Sequence, residues 1–160
     1  ERDGDTIHDP NGWRTECLAS VTVHDLPPTA QYLDGSHLRL WDELALLDRP
    51  FAQALSSHER EIEVWVNVLR QEGLLSPVDA PTPTQITVAM HRLLSRAPSR
   101  LLCLSLVDGV GDLNTQNQPG TDQEYPNWRV PLTDERGEPV LIEELADSSL
   151  LRTLVRSLSR

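Results

Sequence analysis

A histidine and an aspartate directly after a short apolar run are the residues best suited to chemistry in this sequence. The run covers residues 18–23, and His24 and Asp25 are followed by Pro27 and Pro28. If the run is a strand, Asp25 lies at its carboxyl end, where a carboxylate can accept hydrogen bonds from the hydroxyls of a ligand such as a sugar. Aspartate is also common in turns, so a turn-capping role for Asp25 is the alternative.

Further polar candidates lie in segment 108–131, which lacks hydrophobic periodicity and is rich in Gly, Asn, Gln and Pro. Loops of this length are uncommon unless they are functional or disordered. Asn117 either contacts a substrate or stabilises the loop through its amide. Trp128 either stacks on a sugar or anchors the loop by packing, and we favour packing. Asp108 either lines a site or begins a turn, and we leave it out of the candidate site.

The sequence indicates no metal site and no cofactor. Cys17 and Cys103 each lie in an apolar run, without a CxxC motif. We expect both to be buried, reduced thiols, which fits a cytoplasmic protein. The remaining histidines have no spacing typical of metal ligands, and positions on the surface or on helices explain them: His8, His37, His58 and His91.

Helical patterns fill the region 36–97 between two apolar runs. Ser36 is a candidate N-cap for a helix over 37–47, and Ser56 opens a candidate capping box for the next helix. Gly73 fits the end of that second helix. A third helix is expected to start at 82–85, with an apolar face formed by Ile86, Ala89, Met90, Leu93 and Ala97.

The apolar runs 18–23 and 101–107 predict two strands that are buried on both faces, as in a parallel sheet covered by helices. A last helix is expected over about 142–158, with a weak spot at 147–149. The order strand, helices, strand, long loop, helix is an α/β arrangement of the βαβ type with insertions. Two parallel strands leave unpaired edges, so further strands are implied, and a (β/α)8 (TIM) barrel is the favoured whole.

Composition narrows the classes of partner. The formal net charge is −11, all 14 basic residues are arginine, and no basic run occurs. Nucleic-acid binding is therefore not expected, whereas a neutral ligand such as a sugar is compatible. No apolar stretch reaches the length of about 18 residues that a membrane span needs, so no membrane partner is expected. The chain begins with neither Met nor a signal peptide, so we expect a piece of a longer protein.

Two segments resemble the signatures of one enzyme family. Residues 21–29 read VTVHDLPPT and resemble the Thr-His-Asp-Leu-Pro-Thr motif of bacterial 4-α-glucanotransferases, the amylomaltases or disproportionating enzymes. Residues 117–121 (NQPGT) and 124–129 (EYPNWR) resemble the family's Asn-Leu-Pro-Gly-Thr and Glu-Tyr-Pro-Asn-Trp-Arg signature. The sequence departs from these motifs at Val23, at the additional Pro28, at Gln118 where the family has Leu, and at 107–111, where the family has an acidic pair.

The resemblance implies the last two strands of a (β/α)8 barrel, with 36–97 as a helical insertion and 108–131 as an active-site loop. Such enzymes transfer α-1,4-glucan segments between maltodextrins, including maltose and maltotriose, by a retaining mechanism. In the family the nucleophile and the acid/base come from earlier strands, so the rest of the barrel is an expected partner of residues 1–160. By resemblance Asp25 is the catalytic carboxylate that stabilises the transition state, while His24 and Asn117 bind substrate.

Two other classes of function stay open at this point. The chain could belong to a non-catalytic glucan-binding or regulatory module derived from such a barrel, or to a related hydrolase. A nucleophilic Asp and an acid/base Glu upstream would distinguish an enzyme from a binding module. Longer maltodextrins formed from maltotriose would distinguish transfer from hydrolysis.

Overall fold

The computed structural model describes residues 2–3, 6–7 and 9–159, so His8 lies outside the described residues. None of the helices in this part of the chain combines the length and apolar character needed to cross a bilayer. The elements in chain order are β1 (Arg2–Asp3), β2 (Thr6–Ile7), a 3-10 turn (Pro10–Gly12), β3 (Leu18–Ser20), α1 (Thr29–Asp34), α2 (Ser36–Glu43), α3 (Phe51–Gln71), α4 (Pro83–Leu94), β4 (Leu101–Cys103), α5 (Leu106–Val110), a second 3-10 segment (Ile142–Asp147) and α6 (Ser149–Leu158).

Strands β3 and β4 form a parallel pair. β3 pairs with β4 in register, with Leu18 opposite Leu101, and helices α1 to α4 form the connection between them. The predicted parallel βαβ arrangement is therefore confirmed. The prediction that both faces are buried is wrong in this structure, because Leu18 is 57% exposed and Leu101 is 61% exposed.

Both strands are shorter than the apolar runs predicted. β3 ends at Ser20, whose hydroxyl donates to the Thr22 carbonyl oxygen (2.6 Å). The Thr22 hydroxyl then donates to the Pro27 carbonyl oxygen (2.9 Å), which turns the chain away from the sheet. β4 ends at Cys103, and the remainder of the run 101–107 enters helix α5.

Helix α5 forms where strand and loop were predicted, because it packs against α6. A Cβ at Gly109 would lie 2.6 Å from the Cδ1 of Leu151, so the two helices meet at a position without a side chain. The Ser148 hydroxyl donates to the Gly109 carbonyl oxygen (2.9 Å) and also accepts from the Leu151 amide, which makes Ser148 the N-cap of α6. The predicted weak spot at 147–149 is thus the junction between the 3-10 segment and α6.

The predicted helices between the strands exist, but two of their starts differ. Ser36 does not cap α2; its amide and hydroxyl donate to Asp34, and the helix ends at Glu43, before Ala45 at φ 54°. The capping box at Ser56 is wrong, because α3 begins after Pro50 and Ser56 lies inside the helix. Helix α1 was not predicted.

The ends of α3 and α4 follow the sequence signals. Gly73 has φ 68°, and the Leu74 amide donates to the Leu69 carbonyl oxygen (2.8 Å), as expected for a helix that ends in a glycine turn. Thr82 and Gln85 form the capping box that opens α4. The predicted apolar face of α4 is buried, and the core contains Leu69, Ile86, Ala89, Met90 and Leu93.

Both cysteines are unpaired and only half-buried. Cys17 approaches the Arg14 carbonyl oxygen and the Ser99 hydroxyl (3.2 and 3.5 Å from Sγ). The expectation of buried thiols is therefore wrong in this structure. Cys103 ends β4 on the same face as the exposed Leu101, and Cys17 lies outside β3, directly before its first residue.

Candidate active site

A tight turn after β3 presents the two residues of the first motif. Within it, the Leu26 amide donates to the Val23 carbonyl oxygen (3.0 Å). The closed turn places His24 and Asp25 at its tip, with side chains that are 59% and 51% exposed. The His24 Nε2 lies 3.4 Å from the Asp25 Oδ1, so the imidazole and the carboxylate are adjacent groups on an accessible surface.

Asn117 reaches this turn from a segment 92 positions away in the chain. Its side-chain Nδ2 donates to the Asp25 Oδ1 over 2.6 Å. The fold therefore brings together all three residues that the sequence singled out: His24, Asp25 and Asn117. Amide, carboxylate and imidazole groups grouped in this way can donate to and accept from the hydroxyls of a sugar.

Trp128 joins the same group of side chains. Its ring centroid lies 5.1 Å from that of His24, with the two planes inclined at 48°. Its backbone has φ 62°, and its amide donates to the Gln116 carbonyl oxygen (2.9 Å). The side chain is 64% exposed, so the favoured packing role for Trp128 is wrong in this structure. The exposed ring offers a face on which a sugar could stack.

Asp112 organises the loop that carries Asn117, a role that the sequence analysis missed. Its buried carboxylate accepts from the Thr133 hydroxyl (2.8 Å) and from the amide and side chain of Asn114 (2.9 Å each). Farther along the loop, the Tyr125 hydroxyl donates to the Thr115 carbonyl oxygen (2.6 Å), and burial raises the pKa of Tyr125. The spacing Asp112-x-Asn114 after a glycine is a turn signal that could have indicated Asp112.

Asp108 neither lines the candidate site nor begins a turn. It is fully buried, and its carboxylate accepts from the amide and hydroxyl of Thr29, both at 2.8 Å. Burial raises the pKa of Asp108 and lowers the pKa of His91, whose Nε2 lies 3.7 Å away. Asp108 thus caps α1 from a distant part of the chain, which explains why this helix has no signal of its own in the sequence.

His37 and His58 are buried between α1, α2 and α3. Their ring centroids are 4.8 Å apart, and both rings contact Tyr32. Burial lowers the pKa of each imidazole. Within residues 9–159, no group of three or more His, Cys, Asp or Glu side chains is arranged to hold a metal ion.

An apolar cavity of about 440 Å³ lies behind the turn, between β3 and the helices. The residues that line it include Leu26 and Pro27 of the turn, together with Trp41 and Trp65. His24, Asp25 and Asn117 are not among the residues that line it. The cavity is therefore formed by residues that pack against the turn, and it is separate from the polar cluster of His24, Asp25, Asn117 and Trp128.

The sequence model of the 4-alpha-glucanotransferase family matches residues 1–136, which include every residue of the polar cluster. The chain belongs to this family. It is 48% identical over 145 residues to the 4-alpha-glucanotransferases of Mycobacterium bovis and Mycobacterium tuberculosis, an alignment that covers 91% of this chain. It spans about a fifth of the length of these curated 4-alpha-glucanotransferases, since the alignment covers 20% of each.

The chain is also similar to a solved structure. The crystal structure of amylomaltase from Corynebacterium glutamicum superimposes with a TM-score of 0.81 at 34% sequence identity. The matched region covers 94% of this chain and 23% of the amylomaltase chain. The fold of this 4-alpha-glucanotransferase segment is therefore that of part of an amylomaltase.

Proposed function

We propose that this chain is a segment of an enzyme that transfers α-1,4-glucan segments between maltodextrins by a retaining double displacement. In such a reaction one carboxylate attacks the anomeric carbon, while a carboxylic acid protonates the leaving oxygen. The nucleophile and the acid/base are proposed to lie in parts of the enzyme outside residues 1–160. Asp25 supplies a third carboxylate, which acts without attacking.

The observation that carries this proposal is the geometry at Asp25. The carboxylate is half-exposed, accepts from Asn117 over 2.6 Å and stands beside the His24 imidazole. A carboxylate held in this way can accept from sugar hydroxyls and can stabilise positive charge as it develops on the reacting ring. Such stabilisation increases as the oxocarbenium character of the ring grows, so it favours the transition state over the bound substrate.

We further propose that β3 and β4 are the last two strands of a (β/α)8 barrel. Leu18 and Leu101, opposite each other in the sheet, are both exposed in the chain alone. Neighbouring barrel strands and their helices would cover these apolar side chains. The proposed partner of the segment is therefore the rest of the same barrel, and the proposed substrates are maltose, maltotriose and longer maltodextrins.

The test of this function is Asp25→Asn in the full-length enzyme. Asparagine keeps the size of aspartate but removes its charge, so the loss should fall on kcat for transfer from maltotriose more than on glucan binding. Loss of one oriented group that stabilises charge developing in the transition state costs on the order of 3 kcal/mol, so kcat should fall at least about 100-fold. The melting temperature should change little.

The matched control is Asp48→Asn, at an exposed aspartate bonded to the adjacent Arg49. This variant should retain normal turnover. A folded Asp25→Asn enzyme with near-normal turnover would contradict the proposed role and would favour turn capping, for which asparagine serves nearly as well as aspartate. Glucose release without longer maltodextrins would indicate a hydrolase instead of a transferase.

A further inference from the structure

Gln118 connects the candidate site to the helices between the two strands. We propose that Gln118 is a positioning residue, which fixes Asn117 against Asp25 through a hydrogen bond with Trp41 of α2. The inference rests on the proposed function, because it assigns Gln118 a part in the same reaction. Gln118 itself would not touch the substrate.

The hydrogen bond with Trp41 is direct and shielded from solvent. The Trp41 Nε1–H donates to the Gln118 Oε1 over 2.9 Å, and Gln118 is only 7% exposed. The Gln118 Nε2 donates to the Pro119 carbonyl oxygen (3.2 Å), which orients the amide so that its oxygen faces the indole. The bond links residues 77 positions apart in the chain.

The backbone on both sides of Asn117 is also held. The Gln118 amide donates to the Asn127 Oδ1 (2.7 Å), and the Gln116 carbonyl oxygen accepts from the Trp128 amide (2.9 Å). Because the backbone is held at Gln116 and at Gln118, the position of this part of the loop determines whether the Asn117 side chain points toward Asp25. The Trp41 hydrogen bond ties that part of the loop to α2.

A second contact joins the same two parts of the molecule. Gly120 has φ 87°, and a Cβ there would lie 3.4 Å from the Cδ2 of Leu46, just after α2. The loop therefore lies close to the segment 36–46 at two points, one polar and one apolar. Through these two contacts, α2 and the residues directly after it fix the position of the loop that contains Asn117.

The bond depends on a residue at which this sequence departs from the motif it resembles. The motif has leucine where this chain has Gln118, and leucine cannot accept a hydrogen bond from an indole. With leucine in this chain, the half-buried Trp41 Nε1–H would lose its acceptor, and the loop would lose its polar attachment to α2. A reversion to the motif residue is therefore an informative variant.

The experiment is a double-mutant cycle in the full-length enzyme, with Gln118→Leu, Trp41→Phe and the combined variant. Each single variant should lower kcat for transfer from maltotriose about 5-fold, as expected for one lost neutral hydrogen bond, with a smaller change in KM. The combined variant should be no slower than the slower single variant, because both changes remove the same bond. The control is Gln123→Leu, at an exposed glutamine of the same loop whose side chain donates to the adjacent Asp122, and this variant should leave kcat unchanged.

Two results would overturn the inference. In the first, the losses in kcat of the two single variants multiply in the combined variant. In the second, the variants have a lower melting temperature but a normal kcat, as a purely structural role predicts. If Gln118→Leu does not fold, Gln118→Met replaces it in the cycle, because the unbranched thioether fills a similar space. Asp25→Asn is assayed in parallel: normal turnover there refutes the proposed function, whereas a slow Asp25→Asn with a normal Gln118→Leu refutes the positioning role alone.

Discussion

At the residue scale, the pairing of Asp25 with Asn117 decides how the carboxylate is presented. A hydrogen bond to a charged acceptor is stronger than one between neutral groups, and this one spans 2.6 Å. Because it engages Oδ1, which also faces His24, it restricts rotation of the carboxylate while leaving the group half-exposed. The proposed role of Asp25 needs this orientation before substrate arrives.

We therefore predict that Asn117→Ala lowers kcat of the full-length enzyme about 10-fold. Hydrogen bonds to charged groups contribute roughly 1.5–3 kcal/mol, and the lower end applies because Asp25 is partly hydrated. Steady-state kinetics on maltotriose and the melting temperature of the same variant are the measurements. A fall in melting temperature with unchanged kcat would indicate that Asn117 only stabilises the loop.

A matched control is available in a second exposed amide–carboxylate pair. The Asn11 Nδ2 donates to the Asp9 Oδ1 over 2.9 Å, in the turn before β3. Asn11→Ala removes the same kind of bond at a position with no proposed role in catalysis. It should leave kcat unchanged, so that a loss in Asn117→Ala can be assigned to the site.

At the scale of the elements, helices α1, α2 and α3 enclose two titratable rings. His37 and His58 are buried, and burial is the main cause that lowers the pKa of each. Nearby carboxylates oppose this effect only in part; they are Asp34, Glu59 and Glu61. The folded helices therefore hold both imidazoles in their neutral form at neutral pH.

Because both imidazoles are buried in their neutral form, we predict that acidic pH destabilises the helices around them. Unfolded histidine takes up a proton at about pH 6.5, whereas the folded rings do so only at lower pH. The unfolded state then binds more protons as the pH falls below about 6.5, so stability is full above that value and is lost below it. The midpoint of urea unfolding of the full-length enzyme should decrease between about pH 7.5 and pH 5.5.

The variant that isolates this effect is His58→Gln. Within the described residues the His58 Nε2 is buried without a hydrogen-bond partner, so a proton added there has no acceptor. The variant should lose less stability than the wild type over the same pH interval, whatever its stability at neutral pH. Equal losses in both proteins would show that His58 does not contribute.

At the scale of the whole molecule, the parallel sheet next to the site has only two strands among the described residues. β3 and β4 pair with each other, and the apolar side chains of Leu18 and Leu101 remain exposed. Under the proposed function, the groups that attack and protonate the glycosidic bond belong to the part of the enzyme that covers this surface. The polar cluster at Asp25 is then one wall of an active site.

It follows that residues 1–160 alone should not catalyse transfer. The purified chain is incubated with maltotriose, and glucose and longer maltodextrins are measured. The same chain with Asp25→Asn, purified in parallel, controls for contaminating enzyme. Turnover by the unaltered chain that disappears in the variant would contradict the assignment of the nucleophile and acid/base to other parts of the protein.

The sequence by itself determined the features that depend on neighbouring residues. The turn after β3, the Thr82 capping box and the Gly73 helix end follow from local backbone preferences, and the two motifs indicated the family and its three candidate residues. The family and the parallel strand pair are confirmed, whereas the roles of His24, Asp25 and Asn117 stay predictions.

Only the tertiary structure decided the features that depend on partners far along the chain. Helix α1 begins where Asp108 caps it, and α5 replaces the end of a predicted strand because Gly109 admits Leu151. The hydrogen bond between Trp41 and Gln118 joins residues that no local pattern relates. Hydrogen bonds and close packing are satisfied by atoms brought together in space, so a pattern of neighbours along the chain does not specify them.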